Sequence, residues 1–167
     1  GKLVDFEHPD EEIAKYRGKY RIGWDKLREQ RYQRQLASGQ IPASWKLTPR
    51  DPDVPAWDSL DEKTQDACEL RMAAYAAMIS RMDTDVGRIL SLLDELKLAD
   101  NTLVMVTSDN GGVLARSKRF LYETGTRIPF IVRIPEKYKY LFPAKKPGTP
   151  VDRLISFVDL VPTLLSI

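Results

Sequence analysis

The sequence predicts an α/β fold, with a mainly parallel or mixed sheet flanked by helices, and three observations carry that expectation. From about Asp61 to Leu98, apolar residues recur at spacings of three and four, the period of one helix face. Just beyond, Thr102-Leu103-Val104-Met105-Val106 is a β-branched apolar run, and Ile128-Pro129-Phe130-Ile131-Val132-Arg133-Ile134 is a second one. Helix followed by strand is the alternation of an α/β layer, and uninterrupted apolar strands suit a sheet covered on both faces.

Composition agrees with a globular chain. Its 167 residues are 43% hydrophobic and 30% charged, which argues against both disorder and membrane spanning. The 26 basic and 24 acidic residues nearly cancel to a net charge of +2, so no global field favours nucleic acid or lipid, and neither is expected as a partner. Cys68 is the sole cysteine and cannot form an internal disulfide.

In chain order, residues 1–39 form a charged helical segment. Pro9 and Asp10 open a helix that runs to about Ser38, where Gly39 closes it. Tyr16, Tyr20, Trp24 and Tyr32 recur along one face of it; a basic, aromatic helix can touch nucleic acid, but the interleaved Glu11, Glu12, Asp25 and Glu29 favour packing surface with its charges in solvent. Residues 40–60 carry Pro42, Pro49, Pro52 and Pro55 and are expected as an extended excursion. Trp45 and Trp57 either pin that excursion to the body or face a substrate.

Residues 61–167 form the α/β segment. Ser59 or Asp61 starts its long helix, whose stripe of Met72, Tyr75, Ala76, Ile79, Met82, Val86, Ile89, Leu90, Leu93 and Leu96 is expected as core, methionines included. A further short strand is expected over Leu154 to Phe157, before a final helix. The chain opens at Gly1 without an apolar signal core, and it stops at Ile167 inside an apolar helix-like run, so a piece of a longer protein is expected.

The candidate site is Thr107-Ser108-Asp109-Asn110-Gly111-Gly112, at the end of the first strand, where α/β sheets collect binding groups. Asp109 and Asn110 offer two hard oxygen ligands to a cation, and the glycines permit a close backbone approach. The same residues also read as an ordinary turn. Lys118 reads as an anion-binding base or as one solvated base beside Arg116 and Arg119.

The order of strand, Ser108-Asp109-Asn110-Gly111, lysine, Tyr122-Glu123-x-Gly125, Arg127-x-Pro129 and strand resembles the second half of the sulfatase catalytic domain, in the alkaline phosphatase superfamily. Tyr16-Arg17-Gly18-Lys19-Tyr20 with Gly23-Trp24-Asp25 resembles an upstream arylsulfatase segment. Asp83 with Gly87-Arg88, and Phe157 to Leu164, resemble the helices on either side. The resemblance covers almost the whole chain and implies a partial catalytic domain that lacks its amino-terminal part.

What the resemblance implies can be stated residue by residue. Asp109 and Asn110 are metal ligands, calcium being the expected cation, with the other carboxylates on an earlier strand absent from this chain. Lys118 contacts the sulfate group, its ammonium offsetting charge that builds on sulfate oxygens. His8, the only histidine, is carried over as a catalytic residue although its position is offset; a surface histidine ahead of a helix is the other reading. The family nucleophile is a formylglycine made from cysteine in Cys-x-Pro-x-Arg. Leu70 and Met72 stand at the proline and arginine offsets from Cys68, which is therefore structural, so the formylglycine belongs to the parent protein.

Asn110 and Lys118 are separated by only seven residues, a compact loop at a place that shapes substrate choice in many sulfatases. Arg127 and Glu123 read as a local ion pair. The expected substrate is a sulfate-ester small molecule or a glycan, and the resemblance implies a periplasmic or secreted parent. A phosphodiesterase or phosphonate hydrolase of the same superfamily, and a non-catalytic interaction remnant, remain as alternatives.

Overall fold

The computed structural model describes residues 10–112, 117–144 and 146–167, which fall into two compact units, residues 1–88 and 89–167. His8 lies outside the described residues.

In the first unit the amino-terminal helix is broken in two, α1 over Asp10–Ala14 and α2 over Gly23–Ala37. The break is tertiary in origin. Glu69, 1% exposed on the long helix α3 (Glu62–Glu95), accepts a hydrogen bond from the Gly18 amide at 2.6 Å and an ion pair from Arg17. Gly18 takes φ of +83° and Gly23 of +81°, left-handed values that turn the chain between the two helices. Arg17 and Arg21 also reach Asp66 at 3.0 and 2.9 Å, so two acidic residues of α3 clasp the turn.

Helix α2 ends as expected at Gly39. Its φ is +69°, and Gly39 and Gln40 donate to Leu36 and Gln35, a Schellman cap. Residues 40–56 form no helix or strand, bend at turns closed by Trp45 on Pro42 and Val54 on Asp51, and are held by polar side chains of α2. Arg28 donates to the Thr48 carbonyl at 2.7 Å, the Tyr32 hydroxyl to the Trp45 carbonyl at 2.6 Å, and Trp24 Nε1 to the Pro55 carbonyl at 3.1 Å. Trp57, in a single 3-10 turn, is the pin: it is 5% exposed and packs edge-on against Trp24 at 4.9 Å. Any Cβ at Gly23 would lie 2.1 Å from Trp57 Cγ, so this stacking requires glycine. Trp45 is 54% exposed, and α2 holds it through its carbonyl.

Asp61 caps α3, accepting from the Thr64 amide at 2.8 Å and its hydroxyl at 3.0 Å. The expected core stripe does not form among the described residues. Ala73 and Ala77 are buried beside Glu69, while Met72, Tyr75, Ile79, Met82, Ile89 and Leu96 are exposed. Packing against the 16–21 turn selects the alanine face because Glu69 lies on it and must reach Arg17 and Gly18. A shallow groove is lined by Tyr16, Tyr20, Ala76, Ile79, Ser80 and Asp83. No helix of the described residues is long and apolar enough to cross a membrane.

In the second unit α3 ends in another Schellman cap, with Leu98 donating to Leu93 at 2.8 Å and Lys97 to Asp94 at 3.0 Å. Strands β1 (Val104–Thr107) and β2 (Phe130–Arg133) pair antiparallel, in the register Val104↔Arg133 to Thr107↔Phe130. A mixed sheet can contain such a pair; a parallel one cannot. The reason lies in the connection, whose described residues hold only the single helical turn α4 (Glu123–Thr126), too little for the crossover that parallel pairing needs.

The Tyr138 hydroxyl donates to Asn101 Oδ1 at 2.7 Å and the Lys137 ammonium meets the same oxygen, fastening the turn after β2 to the one before β1. No strand forms over Leu154 to Phe157. Phe157 instead begins α5 (Phe157–Leu165), because Ser156 and Asp159 close a capping box, with the Ser156 amide donating to Asp159 at 2.8 Å.

Two measurements check these contacts. Arg17→Ala leaves a buried carboxylate short of a partner and should cost about 1–3 kcal/mol in urea unfolding. Arg21→Ala removes only an exposed pair and should cost about 0–1 kcal/mol. The bonds from the Thr64 amide and then its hydroxyl hold the Asp61 carboxyl below its ordinary range. Its folded value is thus below its unfolded one, so its contribution is complete above the unfolded value and disappears as pH falls through the folded value. An acid titration of helical circular dichroism should show this loss, and Asp61→Asn should remove that pH-dependent part.

Candidate active site

Strand β1 delivers the loop. The Ser108 amide donates to the Pro129 carbonyl at 3.3 Å, extending the ladder by one residue before the chain bends. The Ser108 hydroxyl then donates to the Asn110 carbonyl at 2.9 Å and fixes that bend. Asp109 and Asn110 are therefore neighbours on a turn, and the Asn110 amide nitrogen donates to Asp109 Oδ2. Asp109 is exposed and Asn110 half-buried. Within the described residues, Oδ1 of each accepts no hydrogen bond, which leaves two hard oxygens on one turn.

The loop is stitched to the residues after it. The Gly111 amide donates to the Gly125 carbonyl at 3.2 Å, and the Lys118 amide to the Gly112 carbonyl at 3.1 Å. Ser117, 2% exposed, donates its hydroxyl to the Thr124 carbonyl at 2.7 Å. Glycine is demanded on both sides of this contact. A Cβ at Gly111 would sit 2.0 Å from the Thr124 carbonyl oxygen and 2.1 Å from Ser117 Oγ. A Cβ at Gly125 would sit 2.2 Å from the Phe120 carbonyl oxygen and 2.5 Å from that of Ser117. The α4 turn is closed by Gly125 and Thr126 amides donating to Tyr122 at 2.7 and 3.0 Å. Arg127 and Glu123 form the expected local ion pair, long at 3.9 Å and exposed.

The structure thus brings Asp109 and Asn110 into direct contact and ties the Lys118 backbone to the same loop, with the Lys118 side chain exposed. It gives no position for His8. Cys68 is half-buried in α3. Sequence reasoning named Ser108 within the loop without giving its hydroxyl a task, and missed Ser117. A serine between Arg116 and Lys118 reads as solvated, and no periodicity marks it as buried; only the glycines at 111 and 125 hinted at a close approach.

Chemically, the donor set is one carboxylate and one amide oxygen on adjacent residues. Among the described residues no cluster of three or more His, Cys, Asp or Glu side chains could hold a metal ion. One carboxylate with one amide oxygen suits a hard cation that takes its remaining oxygens elsewhere.

A family model described as Sulfatase matches residues 6–167. The chain is 29% identical over 208 aligned residues to an uncharacterized sulfatase of Schizosaccharomyces pombe, covering 96% of this chain and 36% of that protein. It is 42% identical over 89 residues to an ulvan-active sulfatase of Formosa agariphila, covering 53% of this chain and 14% of the relative. An arylsulfatase of Klebsiella aerogenes is 33% identical over 116 residues, 70% of this chain and 24% of that one. The chain spans about a third or less of the length of these relatives.

Because both glycines face backbone or a buried hydroxyl, Gly111→Ala and Gly125→Ala should each destabilise the second unit by about 1–3 kcal/mol. They should also speed amide exchange at Gly111 and Lys118. Gly112→Ala meets nothing within 4 Å and should leave both readouts near wild type.

Proposed function

Because this chain belongs to the sulfatase family, whose fold is α/β, we propose that it forms part of a metal-dependent hydrolase of organic sulfate esters. The observation that carries the reading is the stitched loop, in which two hard oxygens and the Lys118 turn are held by the Gly111 and Gly125 contact. The relatives include proteins named for aryl, ulvan and N-acetylglucosamine sulfates, which favours an aryl or carbohydrate sulfate here. The uncovered apolar residues of α3 support reading the chain as one portion of a larger domain.

In this proposal Asp109 and Asn110 hold a divalent cation, calcium, together with oxygens from the rest of the polypeptide. When bound, the cation supplies positive charge that polarises the sulfate and favours an ionised nucleophile. The Lys118 ammonium offsets negative charge on the sulfate as the S–O ester bond breaks and charge moves to the leaving oxygen. Ser108 keeps the bend that presents both oxygens, and Ser117 keeps the lysine turn against it. The nucleophile, a formylglycine by family resemblance, lies outside this chain, because Cys68 has neither its proline nor its arginine.

The full-length protein is expected to hydrolyse 4-nitrophenyl sulfate and to lose that activity on chelation of calcium or in Asp109→Ala. Lys118→Ala should lower kcat/KM by about 10²–10³. The 167-residue chain alone should show no turnover; hydrolysis by it that Asp109→Ala abolishes would sink the assignment of the nucleophile to another segment.

A further inference from the structure

Two residues other than glycine hold positive φ among the described residues, Lys97 at 55° and Arg119 at 74°. Lys97 is accounted for by the Schellman cap it closes on α3. Arg119 closes no helix. The Phe120 amide donates to the Ser117 carbonyl at 3.1 Å, so residues 117–120 form a β-turn with Lys118 and Arg119 at its centre. With φ positive at Arg119 and not at Lys118, the turn is of type II, whose third position ordinarily takes glycine.

The turn is not free to relax that strain. Its first residue, Ser117, is buried and bonded to Thr124, and its carbonyl lies against Gly125. The Lys118 amide is held by Gly112. A strained backbone kept in place by its surroundings points to a side chain with a task. Arg119 is exposed and has no hydrogen bond or ion pair among the described residues, so no contact among them explains an arginine where glycine would be more comfortable. It also directly follows Lys118, the residue assigned above to the scissile sulfate.

We propose that Arg119 is a specificity-determining residue, binding a second anionic group, a sulfate or a carboxylate, on a saccharide whose scissile sulfate meets Lys118. A guanidinium takes either anion through two parallel N–H donors, which a second lysine would not reproduce. The inference rests on the sulfatase reading and deepens it: the substrate is a polyanionic saccharide rather than an isolated sulfate ester.

The test uses the full-length protein with three substrates: 4-nitrophenyl sulfate, a disulfated disaccharide, and a disaccharide with one sulfate and one carboxylate. Arg119→Gly removes the cation and relieves the turn, and Arg119→Lys keeps a charge at the same strained position. In Arg119→Gly the ratio of KM on the dianionic substrates to KM on the aryl sulfate should rise about tenfold, with kcat little changed and the melting temperature at or above wild type. Arg119→Lys should recover part of that ratio, and the disaccharide with the larger change identifies the anion bound. An unchanged ratio overturns the inference and leaves the sulfatase reading intact. A lower melting temperature in Arg119→Gly also overturns it, since the arginine would then be holding the turn. Wild-type protein that hydrolyses none of the three overturns the sulfatase reading and this inference together.

Discussion

Gly111 and Gly125 meet backbone to backbone, and the chemistry assigned to this chain depends on that contact. Fourteen positions apart in sequence, they approach so closely that a methyl group on either would enter the van der Waals shell of a carbonyl oxygen. Through them the loop after β1 and the turn carrying Lys118 become one rigid feature. Ser117 completes it, its buried hydroxyl occupied by the Thr124 carbonyl, so a polar group is removed from water without being left unsatisfied. A site on loops gains positional accuracy only when such contacts remove the freedom loops ordinarily have.

A comparable arrangement organises the first unit. The Glu69 carboxylate is buried on α3 and draws in the Arg17 guanidinium and the Gly18 amide, and in doing so breaks a helix that local propensity would have continued. The alanine face of α3 packs there, and the larger apolar residues are left outward. In the first unit a single buried polar group with long-range partners decides which face of α3 is inside, an outcome that hydrophobic period alone does not specify.

Local rules were legible wherever their cause was local. The Asp61 cap, the Gly39 stop, the Ser156 and Asp159 capping box and the proline-rich excursion each follow from a few adjacent residues. The Ser108 to Gly112 loop was legible as well, because an apolar strand followed by Asp-Asn-Gly-Gly narrows what the backbone can do. Illegible were the break at Gly18, the antiparallel pairing of β1 with β2, and the uncovered stripe of Met72, Ile79 and Met82. Each depends on a partner far away in sequence. The strand expected at Leu154 failed differently: a capping box at its far end pulled Phe157 into a helix.

Asp109 and Asn110 as a pair of hard oxygens, Lys118 at its offset, and the absence of a cysteine in a nucleophile setting were determined by the sequence itself, since they are statements about residue type and spacing. Tertiary structure alone decided that Ser117 is buried, that Gly111 lies on Gly125, and that Arg119 stands where glycine would cost least. Those outcomes depend on distances between residues separated along the chain, and only the folded backbone sets such distances.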